Sequence, residues 1–228
     1  MGSFIIEKGV KFEHKLIDLS NKPADFLEKY QLASGRSYGS GLVPLLEHGD
    51  RLVIEIDIVT KYISKHIEGV DKKGDGLHPT NEEDEELIDT FLDEWGGVTD
   101  RYYSILTSTS QQEVDRCVAN WVQSLETIEK MLKQRTTGDY ILGTDFSYAE
   151  CISAPWIQRF YVTLPYFRGI NFHDDILLAN NLHCLSKWMN KVCNRPSCIE
   201  SKCPEDEMIA ACKRYYVSYI SPNASGFL

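Results

Sequence analysis

Apolar residues recur along the chain with two different periods, and the change of period divides it. Over residues 11–19 (Lys-Phe-Glu-His-Lys-Leu-Ile-Asp-Leu) apolar and polar side chains alternate, which predicts a half-buried strand. Residues 20–23 (Ser-Asn-Lys-Pro) read as a helix start, with Pro23 near the first turn and Phe26 and Leu27 one turn on. Residues 34–41 hold too much Gly and Ser to be regular. A short apolar run, 42–47, is followed by His48-Gly49-Asp50 and a second run, 51–55, the pattern of a β-hairpin. Ile58, Val59, Tyr62, Ile63 and Ile67 then recur at helical spacing. Residues 1–68 therefore predict a small α/β domain.

Residues 69–86 predict a linker: Lys72-Lys73-Gly74-Asp75-Gly76, then Pro79, then an acidic run at 82–86 that solvates a linker or favours a helix N-terminus. Residues 87–228 read as helix throughout. Leu87, Phe91, Trp95, Val98, Tyr102 and Leu106 form one apolar stripe and Val114, Val118, Trp121, Leu125, Ile128 and Leu132 a second, both predicting core faces. Gly96-Gly97 inside the first stripe costs about 1 kcal/mol per residue in helix propensity and predicts a bend or a close approach there. The sharpest local signal is Ser147-Tyr148-Ala149-Glu150, a capping box with Phe146 at the staple position before it. It predicts a cleanly started, buried helix running through Pro155, Trp156 and Arg159.

Composition narrows the function classes. With 43% hydrophobic and 25% charged residues among 228, the chain has the balance of a globular protein. No apolar run approaches the roughly 20 residues of a membrane span, and the first residues lack a signal-peptide core, so no membrane association is expected. Lys and Arg number 24 against 34 Asp and Glu, a net charge of -10 that repels phosphate backbones and argues against nucleic acid as a partner. The seven cysteines (117, 151, 184, 193, 198, 203 and 212) are odd in number and confined to the second half. That is not a disulfide framework, and it predicts a reducing, cytoplasmic setting. Cys193, Cys198 and Cys203 stand five apart, a poor spacing for structural zinc, and no metal is expected. His183-Cys184 are helix neighbours that point to different faces, so they do not make a nucleophile pair.

Several pieces, taken in order, resemble the cytosolic glutathione transferases. They are 17–23 (Ile-Asp-Leu-Ser-Asn-Lys-Pro), 43–48 (Val-Pro-Leu-Leu-Glu-His), 55–63 (Glu-Ile-Asp-Ile-Val-Thr-Lys-Tyr-Ile), 140–143 (Tyr-Ile-Leu-Gly), the capping box, 154–160 (Ala-Pro-Trp-Ile-Gln-Arg-Phe), Trp188 and 195–197 (Arg-Pro-Ser). The details lean towards the cysteine-type omega, lambda and dehydroascorbate-reductase-like classes. The resemblance implies an α/β thioredoxin-like N-terminal domain, incomplete at its start, followed by an all-α, all-helical C-terminal domain. It further implies that Pro44 is a cis-proline exposing the Val43 backbone to glutathione as an added strand would pair. Glu55 and Ile56 would open a helix whose N-terminus receives the γ-glutamyl carboxylate, and Arg36 would meet the other carboxylate. Trp95, Tyr102 and Trp156 are the candidates for an acceptor site between the domains.

Two departures from the family pattern matter. Ile56 stands where the family has Ser, and an isoleucine has no side-chain hydrogen bond to give a carboxylate. The family's Cys-Pro-Phe or Cys-Pro-Tyr motif, whose thiol is activated by a helix N-terminus, would fall several residues before Met1, so no catalytic residue is assigned. The strand preceding that motif lies mid-sheet in the family, and without it two strand edges lack a partner. The expected function is a glutathione-dependent transferase or thiol transferase, with glutathione as substrate and a small hydrophobic or disulfide co-substrate, if a catalytic segment is supplied. The alternative is a non-catalytic scaffold that binds a small ligand or a protein. A homodimer is expected in either case by family resemblance.

Overall fold

The computed structural model describes residues 2–35, 41–72, 75–134 and 137–216, and the chain divides into two compact units, Met1–His78 and Pro79–Leu228.

The first unit is α/β. It runs α1 (Gly2–Glu7), α2 (Ala24–Ser34), β1 (Leu45–His48), β2 (Arg51–Ile54) and α3 (Ile56–His66), with single 3-10 turns at Val70–Lys72 and Asp75–Leu77. β1 and β2 pair antiparallel around a two-residue turn, Leu45 opposite Ile54 and His48 opposite Arg51. Gly49 supplies the positive φ this turn needs. α1 is tied down by Lys8, whose Nζ donates to the Ser64 carbonyl of α3 at 3.0 Å, and by the Val70 N–H, which donates to the Lys8 carbonyl at 2.8 Å.

The strand predicted for residues 11–19 does not form. Among the described residues the segment has no ladder partner, and Phe12 (46%), Leu16 (85%) and Leu19 (39%) stay exposed. Alternation specifies a strand only where a neighbouring strand and a face to bury are present. Among the described residues the sheet holds only β1 and β2, and these pair with each other.

The second unit is all helical: α4 (Glu82–Thr107), α5 (Gln111–Lys133), α6 (Tyr148–Arg168), a π-helical segment (Phe172–Leu178), α7 (His183–Cys193), α8 (Pro196–Glu200) and α9 (Glu205–Tyr216). The acidic run lies in the first turns of α4, where it complements the helix dipole, and Asn81 caps that helix by accepting from the Asp84 N–H. α4 runs unbroken through Gly96 and Gly97. The glycine at 97 admits the Arg101 guanidinium, whose Nη1 donates to the Gly97 carbonyl at 3.0 Å and would stand 2.8 Å from an added Cβ. The two apolar stripes are core, with Leu87 (39% exposed) and the half-buried Val118 as their outer members. Phe91, Trp95, Trp188, Phe160, Tyr102, Trp121 and Phe172 form a continuous run of ring contacts with centroids 5.0–6.4 Å apart.

The capping box forms as its spacing predicts, and Glu150 does more than close it. Fully buried, its carboxylate accepts from the Ser147 N–H (2.9 Å), the Ser147 hydroxyl (2.7 Å), the Ile141 N–H (2.7 Å) and Trp188 Nε1 (3.2 Å). One side chain thus joins the turn before α6, the start of α6 and the middle of α7. No helix among the described residues is long and apolar enough to cross a membrane.

Candidate functional site

The predicted site residues fall into two groups, one in each unit. In the first unit the hairpin register brings its group together. Because Leu45 pairs with Ile54, the segment Val43–Pro44 and the start of α3 at Glu55 leave the same end of the ribbon. The Val43–Pro44 peptide bond is cis, and Val43 is 48% exposed. Glu55 has φ 68° and ψ 129°, a conformation few non-glycine residues adopt. Such outliers concentrate at functional positions. Its carboxylate accepts from the Tyr30 hydroxyl at 3.4 Å.

The first intrahelical bond of α3 runs from the Val59 N–H to the Glu55 carbonyl at 2.8 Å. The amides of Ile56, Asp57 and Ile58 therefore have no partner within the helix. Two side chains of this turn are exposed, Ile56 at 42% and Ile58 at 58%. Amides and dipole together suit a carboxylate. Ile56 adds no hydroxyl to that set, and Asp57 in the same turn opposes it. Arg36 lies outside the described residues.

The second unit treats its three candidates differently. Trp95 is 2% exposed and packed among Phe91, Phe160 and Trp188, and among the described residues its Nε1 has no hydrogen-bond partner. Tyr102 is fully buried, with its hydroxyl on Thr163 Oγ1. Burial holds its phenol well above the ordinary value, outweighing the Thr163 hydrogen bond, so Tyr102 stays neutral. Trp156 is half-buried and meets Tyr102 and Tyr103 edge-on, at 6.3 and 5.6 Å.

Over the Trp156 ring lies the Arg159 guanidinium, 4.8 Å from its centroid, a cation–π arrangement. Arg159 Nη1 donates to the Tyr103 hydroxyl at 2.9 Å, while its Nε is buried with no hydrogen-bond partner among the described residues. The result is an aromatic wall carrying one positive charge. Sequence reasoning missed Tyr103 and the part played by Arg159. The signal for Arg159 was its i, i+3 spacing from Trp156, which puts both on one helix face.

None of the cysteines with a resolved shift is an activated nucleophile. Burial pushes Cys193 up to about 12 and also raises Cys203 and Cys212, the opposite of what a thiolate site requires. Among the described residues no group of three or more His, Cys, Asp or Glu is arranged to hold a metal ion.

A thioredoxin-like hairpin with an open helix N-terminus, joined to an all-helical unit built on a capping box, is the class that fold and site define. A family model for the glutathione S-transferase C-terminal domain matches residues 111–189. Protein IN2-1 homolog B of Oryza sativa subsp. indica is 29% identical over 187 residues, 81% of this chain and 68% of that protein. Glutathione S-transferase L2, chloroplastic, of Arabidopsis thaliana is 29% identical over 80% of this chain, which spans only 54% of that relative's length. Among solved structures, glutathione transferase Omega 3C from Trametes versicolor superposes with a TM-score of 0.72 at 18% identity, covering 95% of this chain and 85% of that one. The chain thus has the glutathione transferase fold, and its residues 111–189 belong to the glutathione S-transferase C-terminal domain family.

Proposed function

We propose that this protein binds glutathione at the end of its hairpin and uses it as substrate. The Val43 backbone would pair with the cysteinyl part, and the α3 N-terminus at Glu55 and Ile56 would receive the γ-glutamyl carboxylate. The observation that carries this reading is the register that places Val43–Pro44 and the open first turn of α3 at one end of one ribbon. Within the helical unit, Trp156 with Arg159 and Tyr103 is the candidate contact for a flat hydrophobic or disulfide co-substrate, with Trp95 and Tyr102 as core residues of the same unit. In the reaction, the glutathione thiolate displaces a leaving group from a small electrophile. Alternatively it attacks a mixed disulfide, giving glutathione disulfide and a free thiol. The free state of all seven cysteines fits a reducing compartment such as the cytoplasm, and the family resemblance favours a homodimer.

A second reading, a scaffold that binds ligand without turnover, is favoured by one observation: Ile56 leaves the carboxylate site one hydroxyl short. Calorimetric titration with glutathione, paired with turnover assays on 1-chloro-2,4-dinitrobenzene and 2-hydroxyethyl disulfide, separates the two. Binding with turnover supports the transferase, binding without turnover supports the scaffold, and no heat at millimolar glutathione refutes the transferase and leaves only a scaffold for another ligand or a protein.

A further inference from the structure

The surface of the helical unit carries a groove that plays no part in the glutathione reading. It is a shallow, open depression between α5 and the chain running from Ile170 through the π-helical segment to Asn180, with a volume of about 560 Å³. That is within the range of roughly 300–1,000 Å³ usual for small-molecule sites. Its floor is apolar, built on Val118, Val122 and Ile176, the last two 9% and 2% exposed. Its rim is acidic, with Asp115 and Glu126 on α5 and Asp175 opposite, and among the described residues no Lys, Arg or His lines it.

We infer that this groove binds a hydrophobic organic cation. Asp115 and Glu126 stand eleven residues apart on one helix, about 16 Å along its axis, so they flank the floor at its two ends. Asp115 accepts from Gln111 Nε2 at 2.7 Å and Asp175 from the Asn171 N–H at 2.8 Å. Both bonds come from neutral donors and leave the carboxylate charges uncompensated. Glu126 is exposed and, among the described residues, is in no hydrogen bond or ion pair. The floor selects a flat or extended apolar body and the rim selects its sign, which the net charge of -10 reinforces at long range. An anionic ligand of the same shape meets the same floor but is repelled by the rim.

The probe is thioflavin T, a planar cation whose fluorescence rises when it is held rigid, with anilinonaphthalene sulfonate as the anionic control. The expected result is saturable one-to-one binding of thioflavin T, weakened when ionic strength is raised from 0.05 to 0.5 M. Asp115→Asn and Glu126→Gln should each weaken it by about two- to fivefold, the range of exposed charge pairs, and the double variant by more than either. Val118→Lys, which fills the floor and adds a like charge, should abolish it. Both carboxylate variants are at exposed positions, so if Val118→Lys fails to fold the double variant decides alone. The inference is overturned if thioflavin T does not saturate, if the double variant binds it unchanged, or if the sulfonate binds as tightly at the same groove. Glutathione is absent from every arm, so failure here leaves the proposed function standing, and the converse holds.

Discussion

Removing the Glu150 carboxylate should unfold much of the margin of the helical unit. Glu150→Ala strands four donors at once in a site with no solvent exposure: the Ile141 and Ser147 N–H groups, the Ser147 hydroxyl and Trp188 Nε1. A hydrogen bond to a charged group contributes about 1.5–3 kcal/mol, and the four are not additive because they share one acceptor and water can enter the space left. The expected cost is about 3–5 kcal/mol, the range for breaking a buried charged network. Glu150→Gln keeps one oxygen but turns an NH2 group towards donors, and should cost about 2–3 kcal/mol. All four tryptophans lie in this unit, so urea unfolding followed by tryptophan fluorescence reads it directly. For Glu150→Ala the fall in melting temperature should be about 10 °C or more. A Glu150→Ala protein within 1 kcal/mol of the parent would refute the reasoning, because its four donors would then have found other partners or never depended on this one.

Three further outcomes follow from the same geometry. Peptide-level labelling with iodoacetamide at pH 8 should modify Cys193 slowly, since a shift from 9.0 to about 12 leaves about a thousandfold less thiolate than an ordinary thiol; its rate should climb about tenfold per pH unit to pH 11, and a plateau near pH 9.5 would contradict the burial argument. Trp95→Ala should cost about 3–5 kcal/mol as a core truncation, while Trp156→Ala should cost about 1–2 kcal/mol and chiefly weaken co-substrate binding; equal losses of stability would remove the distinction between core and acceptor wall. Ile56→Ser should tighten glutathione binding by about one to two orders of magnitude, the value of one hydroxyl donated to a carboxylate, and an unchanged calorimetric affinity would place the carboxylate elsewhere.

What the sequence could tell depended on how local each signal was. The capping box is written in four consecutive residues, the hairpin turn in His48-Gly49-Asp50, and the helical cores in stripes of period 3.6. Each carries its own physical cause and needs no distant partner. The segment 11–19 shows the converse, since its alternation is real but a strand also needs a ladder neighbour. The helical unit holds a similar case in Glu129, a buried carboxylate that accepts from the Cys184 and Leu185 N–H groups at 3.2 and 2.6 Å and so caps α7. Its partners lie 55 and 56 residues away, and no sequence pattern marks them. The candidate sites divide in the same way. Val43, Pro44, Glu55 and Ile56 came from a family pattern, whereas the positive φ of Glu55 has no sequence signal and the guanidinium of Arg159 over Trp156 is marked only by an i, i+3 spacing within α6.

The central claim is that glutathione sits at the open end of the hairpin. Amide hydrogen exchange of the whole chain, read by mass spectrometry with and without glutathione, tests it most directly. The account predicts slowed exchange in peptides covering residues 42–46 and 55–60, with the first-turn amides of α3 protected most. Protection confined to the helical unit, or none at saturating glutathione, would contradict it.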